Sequence, residues 1–180
     1  MTPANNALQQ FGRGSNGPGA APALYTAEQR RRRDETVWTW VQAVLAPLQF
    51  AIFAVSLALV LRFLATGLGE TAAAMSVVVK TVALYTIMVT GSLWEKAVFG
   101  RYLFARAFFW EDVVSMLVLA LHSAYLVCLF GGYLEPHQRM YLALAAYATY
   151  VINAAQFVIK LRSARRQQRA ATSAPAECAA

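Results

Sequence analysis

Residues Val37–Leu61 read VWTWVQAVLAPLQFAIFAVSLALVL, a run of 25 residues without a charged side chain. A helix needs about 20 apolar residues to cross the hydrocarbon core of a bilayer. Three further runs of 20 to 24 residues meet that requirement, and only one of them contains a charge, at Lys80. These runs are Thr71–Trp94, Val113–Leu134 and Met140–Ile159. The sequence therefore predicts an all-α polytopic membrane protein with a bundle of four transmembrane helices.

The composition and the placement of charge exclude other classes of protein. Of the 180 residues, 58% are apolar and 14% charged, whereas a soluble domain is about half apolar and a quarter charged. The net charge of +7 does not indicate nucleic-acid binding, because 13 of the 16 Lys and Arg residues flank one side of the four runs. They are Arg13, Arg30–Arg33, Lys96, Arg101, Arg106, Lys160, Arg162, Arg165, Arg166 and Arg169. This asymmetry predicts that both termini and the middle loop are cytoplasmic and contact anionic lipids.

The chain divides into a membrane domain and two tails. Residues 1–22 are rich in Gly, Pro, Asn and Ala, which predicts a disordered N-terminal tail. Residues 166–180 are predicted to form a flexible C-terminal tail, which leaves residues 23–165 as the membrane domain. Thr26–Gln29 fits a capping box, which predicts a cytoplasmic helix that continues through Arg30–Arg33 into the first span.

Polar side chains inside the runs recur at helical spacing, so each helix has one polar face. Gln49 lies on this face in the first run, Lys80 in the second and Asn153 in the fourth. His122 and Tyr125 share the face of the third run. Because a polar group facing lipid is costly, these faces are predicted to line the bundle interior. Alternatives remain open: Lys80 could snorkel or meet a carbonyl, and the others could form interhelical hydrogen bonds.

The segment Glu95–Asp112 combines six aromatic residues with three basic and three acidic ones. Such a mixture favours the headgroup level, either as an interfacial belt or as the mouth of a pocket for a flat apolar ligand. Its acidic residues, Glu95, Glu111 and Asp112, are the only ones at the inner ends of the runs. Partial burial raises the pKa of a carboxyl group, which would make a proton donor. The alternative is ion pairing with the basic residues of the loop, Lys96, Arg101 and Arg106.

Several cofactor sites are excluded by the motifs that the sequence lacks. A bis-histidine haem needs two histidines on facing helices, but His137 lies in an outer turn. The sequence has no glycine-rich phosphate loop, HExxH motif or paired cysteine spacing. It therefore predicts no metal and no cofactor of the protein's own, and leaves cofactor-free chemistry or simple binding.

Four segments resemble the 3-vinyl bacteriochlorophyllide hydratases of phototrophic bacteria. They are LYTAEQRRRRDETVWTWVQAVLAPLQF (Leu24–Phe50), ALYTIMVTGSLWEKAVFGRYLF (Ala83–Phe104), FFWEDVVSMLVLALHSAYL (Phe108–Leu126) and AAYATYVINAAQFVIKLR (Ala145–Arg162). The resemblance implies a hydro-lyase of a bacterial inner membrane. It would add water to the 3-vinyl group of chlorophyllide a, or of its bacteriochlorin relative, in bacteriochlorophyll a synthesis. Other enzymes of that synthesis and a second copy of the chain are candidate partners. The alternative is a non-enzymatic pigment-binding or assembly protein.

This resemblance sharpens the expected roles. We expect Glu95, Glu111 or Asp112 to protonate the terminal vinyl carbon, and a second carboxylate to stabilise the resulting cation. His122 is expected to act as a base or as an axial ligand to the substrate magnesium, and Lys80 or a basic residue of the loop to pair with the substrate propionate. The residues expected to bind substrate are Lys80, Tyr85, Trp94, Trp110, Tyr125, Gln49 and Asn153.

Overall fold

A computed structural model describes residues 24–173, with side chains up to residue 166. The predicted N-terminal tail and residues 174–180 of the predicted C-terminal tail lie outside the described residues. The described part is helical and without strands, and its helices are α1 (Ala27–Glu35), α2 (Val37–Thr66), α3 (Glu70–Phe99), α4 (Phe109–Gly131) and α5 (Pro136–Ser173). Helices α2 to α5 are each long and apolar enough to cross a membrane. The prediction of an all-α protein with four membrane-spanning helices is confirmed.

Two tight turns and one longer loop arrange these helices as a bundle. Gly67 and Gly69, with φ of 70° and 86°, join α2 to α3, and Gly132, with φ of 65°, follows α4. Glycine adopts these left-handed conformations without a steric cost. The hairpins α2–α3 and α4–α5 pack together through α3 against α4 and α2 against α5. A loop from Gly100 to Phe108 connects them at one end.

The helix before the first span is separate from it. Thr26 and Gln29 form both hydrogen bonds of the predicted capping box, which is confirmed. The prediction of one continuous helix is wrong, because α1 ends at Glu35 and Thr36 is extended, with φ −76° and ψ 134°. The Thr36 hydroxyl accepts from the backbone N–H of Trp38 at 3.4 Å. A threonine side chain that bonds the backbone in this way favours a helix start over a helix interior.

The buried core has two parts at different levels of the bundle. The larger part fills the bundle centre, where Val60, Val77 and Val118 are fully buried. The smaller part lies between the residues just before α1, the end of α3, the loop and α5, around buried Tyr25 and Phe108. We call this second level, where Lys96, Arg101, Arg106 and Lys160 also lie, the basic end of the bundle. Large apolar side chains elsewhere face outward, as a lipid-facing surface requires.

Candidate active site

Three carboxyl side chains come together at the basic end, between α3 and α4. Glu95 lies in the last turns of α3, and Glu111 and Asp112 lie in the first turn of α4. Their exposed fractions are 5%, 7% and 3%. The first turn of a helix presents free backbone N–H groups and a positive dipole end, which favours acidic residues there. Burial of all three is unusual for such polar groups and marks this place as a candidate site.

Glu95 and Asp112 form a pair that also holds the loop. The backbone N–H of Ala105 donates to Glu95 Oε2 at 3.3 Å, and the backbone N–H of Phe104 donates to Asp112 Oδ2 at 2.7 Å. Phe104 has a φ of 58°, so the loop takes a left-handed turn at this point. The two carboxyl groups are also close enough for each to influence the ionisation of the other. Two carboxylates this close repel each other, which favours one shared proton.

Glu111 has a different partner. Lys160 Nζ from α5 donates to Glu111 Oε2 at 2.6 Å. Among the described residues, none of the three carboxylates forms an ion pair with Lys96, Arg101 or Arg106, so that alternative is wrong. Lys96 instead donates to the carbonyl of Gly100 at 3.2 Å, and Arg101 and Arg106 are exposed.

The aromatic residues of the basic end divide into a buried group and an exposed one. Trp94, Phe99 and Phe108 pack with Tyr25 and Phe157, at ring-centroid distances between 5.7 and 6.4 Å. Trp94 Nε1–H also donates to Thr39 Oγ1 at 2.9 Å, so it ties α3 to α2. Burial raises the pKa of Tyr25, although the adjacent Arg33 opposes that change. This group holds the end of the bundle together.

The exposed group lies at the end of the loop and the start of α4, and three of its rings contact one another. Phe104 and Phe109 are 5.8 Å apart, and Phe109 and Trp110 are 5.5 Å apart, by ring centroids. The exposed fraction is 69% for Trp110 and 58% for Tyr102, which lies next to them in the loop. We call these residues, Tyr102, Phe104, Phe109 and Trp110, the exposed aromatic face. The sequence left a belt and a pocket mouth as alternatives, and both stay open for these exposed rings, of which Tyr102 already has Lys96 Nζ 5.0 Å from its ring centroid.

Lys80 and His122 lie in the bundle centre, away from the carboxylates. Both are fully buried. Lys80 Nζ lies 3.7 Å from the ring centroid of Tyr150 and has no hydrogen-bond partner among the described residues. His122 Nδ1 bonds the carbonyl of Val118 at 2.8 Å, while its Nε2 has no partner there. His122 is ten residues beyond Asp112 on α4, about 15 Å along the helix. The structure therefore does not bring the four predicted catalytic residues together.

The remaining predicted binding residues occupy the interior and the seam between α3 and α4. Asn153 Nδ2 donates to Ser115 Oγ at 2.8 Å, an interhelical bond between α5 and α4. Gln49 and Tyr125 are buried, each with a side-chain oxygen that has no partner among the described residues. The Tyr85 hydroxyl bonds Ser123 Oγ at 2.8 Å across the outer side of the seam.

Sequence reasoning missed two components of the site. One is Lys160, whose signal was present, since it continues the helical spacing of Asn153 and Phe157 toward the basic end. It was interpreted only as an orientation signal. The other component is the pair of loop amides at Phe104 and Ala105, and backbone amides leave no signature in side-chain patterns.

Neither of two other kinds of site, a surface groove and a metal site, offers an alternative to the carboxylates as an active site within the described residues. A groove of about 360 Å³ lies on the outer surface between α2 and α3, and it is open and largely apolar, which suits lipid. Its lining residues are Ala51, Ile52, Val55, Ser76 and Val79. Within the described part of the chain, no group of three or more His, Cys, Asp and Glu side chains is arranged to hold a metal ion.

Comparison with known proteins places the chain in a family. Residues 25–163 match the family model described as 2-vinyl bacteriochlorophyllide hydratase (BCHF). A relative of that name from Rhodobacter capsulatus is 66% identical over 145 residues, which cover 81% of this chain and 84% of the relative. One from Cereibacter sphaeroides is 64% identical over 155 residues, 84% of this chain and 96% of the relative. No solved structure matches the chain. The chain therefore belongs to the 2-vinyl bacteriochlorophyllide hydratase family, whose name numbers as 2 the vinyl group numbered 3 above.

Proposed function

We propose that this chain is a hydratase that adds water to the vinyl group of chlorophyllide a or bacteriochlorophyllide in bacteriochlorophyll synthesis. The product carries a 1-hydroxyethyl group. Family membership and the names of the two relatives support this activity. The observation in the site that best supports it is the buried Glu95–Asp112 pair, which can hold one transferable proton without a metal or a redox group.

The reaction begins with transfer of that proton. The vinyl π electrons form a new bond between the proton and the terminal carbon, which becomes a methyl group. A cation is left on the inner carbon, where the macrocycle delocalises it. A water molecule then adds to this carbon through its oxygen and releases a proton to the carboxylate pair. The pair ends with the same proton count as at the start, and the net change is the addition of one water.

The geometry of the Glu95–Asp112 pair suits both steps of the reaction, protonation of the vinyl carbon and addition of water. Once the pair has given its proton to the vinyl carbon, it carries one more negative charge opposite the developing cation. Buried charges interact more strongly than charges in water, so the pair stabilises that cation. The backbone N–H groups of Phe104 and Ala105 stabilise this charge and fix the carboxylates in place. Because the same carboxylate accepts the proton from water, a separate base such as His122 is not required.

The macrocycle is proposed to dock on the exposed aromatic face. Its rings lie within a few residues of the carboxylates, and flat aromatic surfaces stack favourably with an extended π system. Arg101 and Arg106 adjoin Tyr102 and Phe104 in the chain, and their exposed guanidinium groups suit the substrate propionate. The buried interior around Lys80 and His122 would have to open along the α3–α4 seam before it could contact the macrocycle. We therefore place the vinyl group at the basic end and not at His122.

The placement in the membrane follows from the charges. We propose a bacterial inner or photosynthetic membrane, with the basic end, both termini and the site on the cytoplasmic side. The asymmetric distribution of Lys and Arg supports this orientation. The pigment substrate and anionic lipids are the partners that this position requires. Other enzymes of bacteriochlorophyll synthesis and a second copy of the chain are further candidates.

The function is tested with membranes that contain the protein and chlorophyllide a. We expect a product heavier by one water, and its new hydroxyl should carry the label when the reaction is run in H₂¹⁸O. Membranes of the same host without the protein are the control. Retention of one pigment per chain without product would refute the hydratase proposal and support the pigment-binding alternative.

A further inference from the structure

Phe104 is the one residue other than glycine that has a positive φ in the described part of the chain. Its φ of 58° lies in the left-handed region, where the β-carbon of an L-residue crowds the backbone. Such a conformation persists only where the surrounding structure holds it, and it is most often found at functional sites. The loop therefore keeps Phe104 in a conformation for which its side chain is poorly suited.

The backbone of Phe104 controls the two amides that meet the carboxyl pair. Its own N–H donates to Asp112 Oδ2 at 2.7 Å, and the N–H of the next residue, Ala105, donates to Glu95 Oε2 at 3.3 Å. These two N–H groups lie on either side of the Phe104 α-carbon, so φ and ψ of Phe104 set the angle between them. An extended residue points its flanking N–H groups in opposite directions, whereas a left-handed turn can aim both at one anionic group, as in the backbone sites called nests.

Contacts on both sides of the turn support it. The Phe104 ring lies 5.8 Å from the ring of Phe109 by centroids. The backbone N–H of Phe108 donates to the carbonyl of Ala105 at 2.8 Å. Ala105 is only 2% exposed, so its amide has little access to water that could replace the carboxyl group as a partner. A change of backbone conformation at residue 104 would therefore leave buried polar groups unpaired.

We infer that Phe104 is a positioning residue for the hydration reaction: its left-handed backbone aims two consecutive amides at the carboxyl pair that transfers the proton. This inference rests on the proposed function. When the proton leaves the pair for the terminal vinyl carbon, the pair gains a negative charge, and the two amides stabilise that charge. The proton that water releases afterwards returns to the pair. The Phe104 backbone exchanges no proton in either step, and the Phe104 ring acts separately, in docking of the macrocycle.

The test separates the backbone of residue 104 from its ring. Phe104→Gly, Phe104→Asn, Phe104→Ala and Phe104→Val all remove the ring, so each should raise KM to a similar extent. They differ in how well they tolerate a positive φ. Glycine adopts it freely and asparagine more readily than most residues, whereas alanine disfavours it and β-branched valine disfavours it most. The loss of the ring thus cancels in the comparison, and the backbone effect is left.

The variants are assayed in the full-length chain with chlorophyllide a, and kcat is expressed per folded chain. We expect kcat of Phe104→Gly and Phe104→Asn to stay within about threefold of the wild type and that of Phe104→Val to fall at least about tenfold. Phe104→Ala should lie at least about threefold below Phe104→Gly. Leu103→Asn and Leu103→Val are the matched control, because φ of the preceding residue is not positive. At Leu103, asparagine should give no higher kcat than valine.

Equal kcat within about threefold in all four Phe104 variants would overturn the inference, because loss of the ring alone would then explain every effect. A purely structural role would lower the unfolding temperature of Phe104→Val and leave its kcat per folded chain unchanged, which would also overturn it. If Phe104→Val does not fold, the comparison of Phe104→Gly with Phe104→Ala decides in its place. Failure of the proposed function is recognised separately, since the wild type would then give no hydrated product or Glu95→Gln would stay active.

Discussion

Replacing Glu95 with Gln removes a transferable proton from the carboxyl pair while the side chain keeps its size. The Gln amide oxygen can still accept from the backbone N–H of Ala105, as Glu95 Oε2 does at 3.3 Å. The amide nitrogen can donate to the Asp112 carboxylate. Since one shared proton already leaves the pair with a single negative charge, a neutral Gln keeps that charge unchanged, and the fold and its thermal stability should be retained.

The expected loss of activity follows from the burial of the pair. A general acid contributes a factor of about 10² to 10⁴ to a rate. Glu95 is only 5% exposed, so bulk water is poorly placed to replace it as the proton donor. We therefore expect kcat to fall at least about 100-fold, which corresponds to about 2.7 kcal/mol in activation free energy. KM should stay within about threefold of the wild-type value, because the substitution does not change the exposed aromatic face.

The assay follows the mass and absorption of the pigment after incubation with chlorophyllide a. In D₂O the new methyl group should contain deuterium delivered by the acid, and Glu95→Gln should slow this incorporation together with product formation. Arg162→Gln is the control for a neutralised exposed charge. A Glu95→Gln variant whose kcat lies within about threefold of the wild type would refute Glu95 as the acid. Full activity of Asp112→Asn as well would refute the carboxyl pair.

Three further substitutions test other parts of the structure. Trp110→Ala should raise KM about threefold to tenfold with kcat retained, because it removes a docking ring. Trp40 is similarly exposed on α2, so Trp40→Ala should change neither KM nor kcat. An unchanged KM in both variants would contradict the docking face. Lys80→Met should raise the unfolding temperature in detergent, because it removes a buried ammonium without a hydrogen-bond partner among the described residues. A lower unfolding temperature would show that the contact with Tyr150 stabilises the protein by more than burial of the ammonium destabilises it. Phe108→Ala should lower the free energy of unfolding by about 3 to 5 kcal/mol. Phe109→Ala removes an exposed ring and should lower it far less. Equal effects would contradict the stabilising role of the buried aromatic group.

Local patterns predicted much of the fold because they report on short-range physics. The capping box at Thr26–Gln29 was correct since its two hydrogen bonds join residues three positions apart. The prediction of one continuous helix through Arg30–Arg33 was wrong, because a threonine such as Thr36 can cap the start of a helix as well as lie inside one. In the sequence this residue stands between two helix-forming segments, and its side-chain bond to Trp38 selects the break.

The site was predicted less completely, for a related reason. Burial of Glu95, Glu111 and Asp112 agrees with the expectation of partial desolvation, and their position at one end of the bundle follows from their place at the ends of two runs. Their pairing does not follow from the runs, because it depends on how far each helix is rotated about its axis. The sequence also gave no reason to separate Trp94, which ties α3 to α2, from Trp110, which is exposed beside the carboxylates.

The sequence by itself determined four membrane-spanning helices and one polar face on each, since length, hydropathy and helical spacing are local properties. It also determined that one end of the bundle is basic, aromatic and acidic together. Only the tertiary structure decided that Glu95 faces Asp112 and that Lys160 reaches Glu111 from α5. These relations join residues 17 to 49 positions apart. They are set by the packing of one helix against another and by the course of the loop, which no periodicity within a single helix specifies.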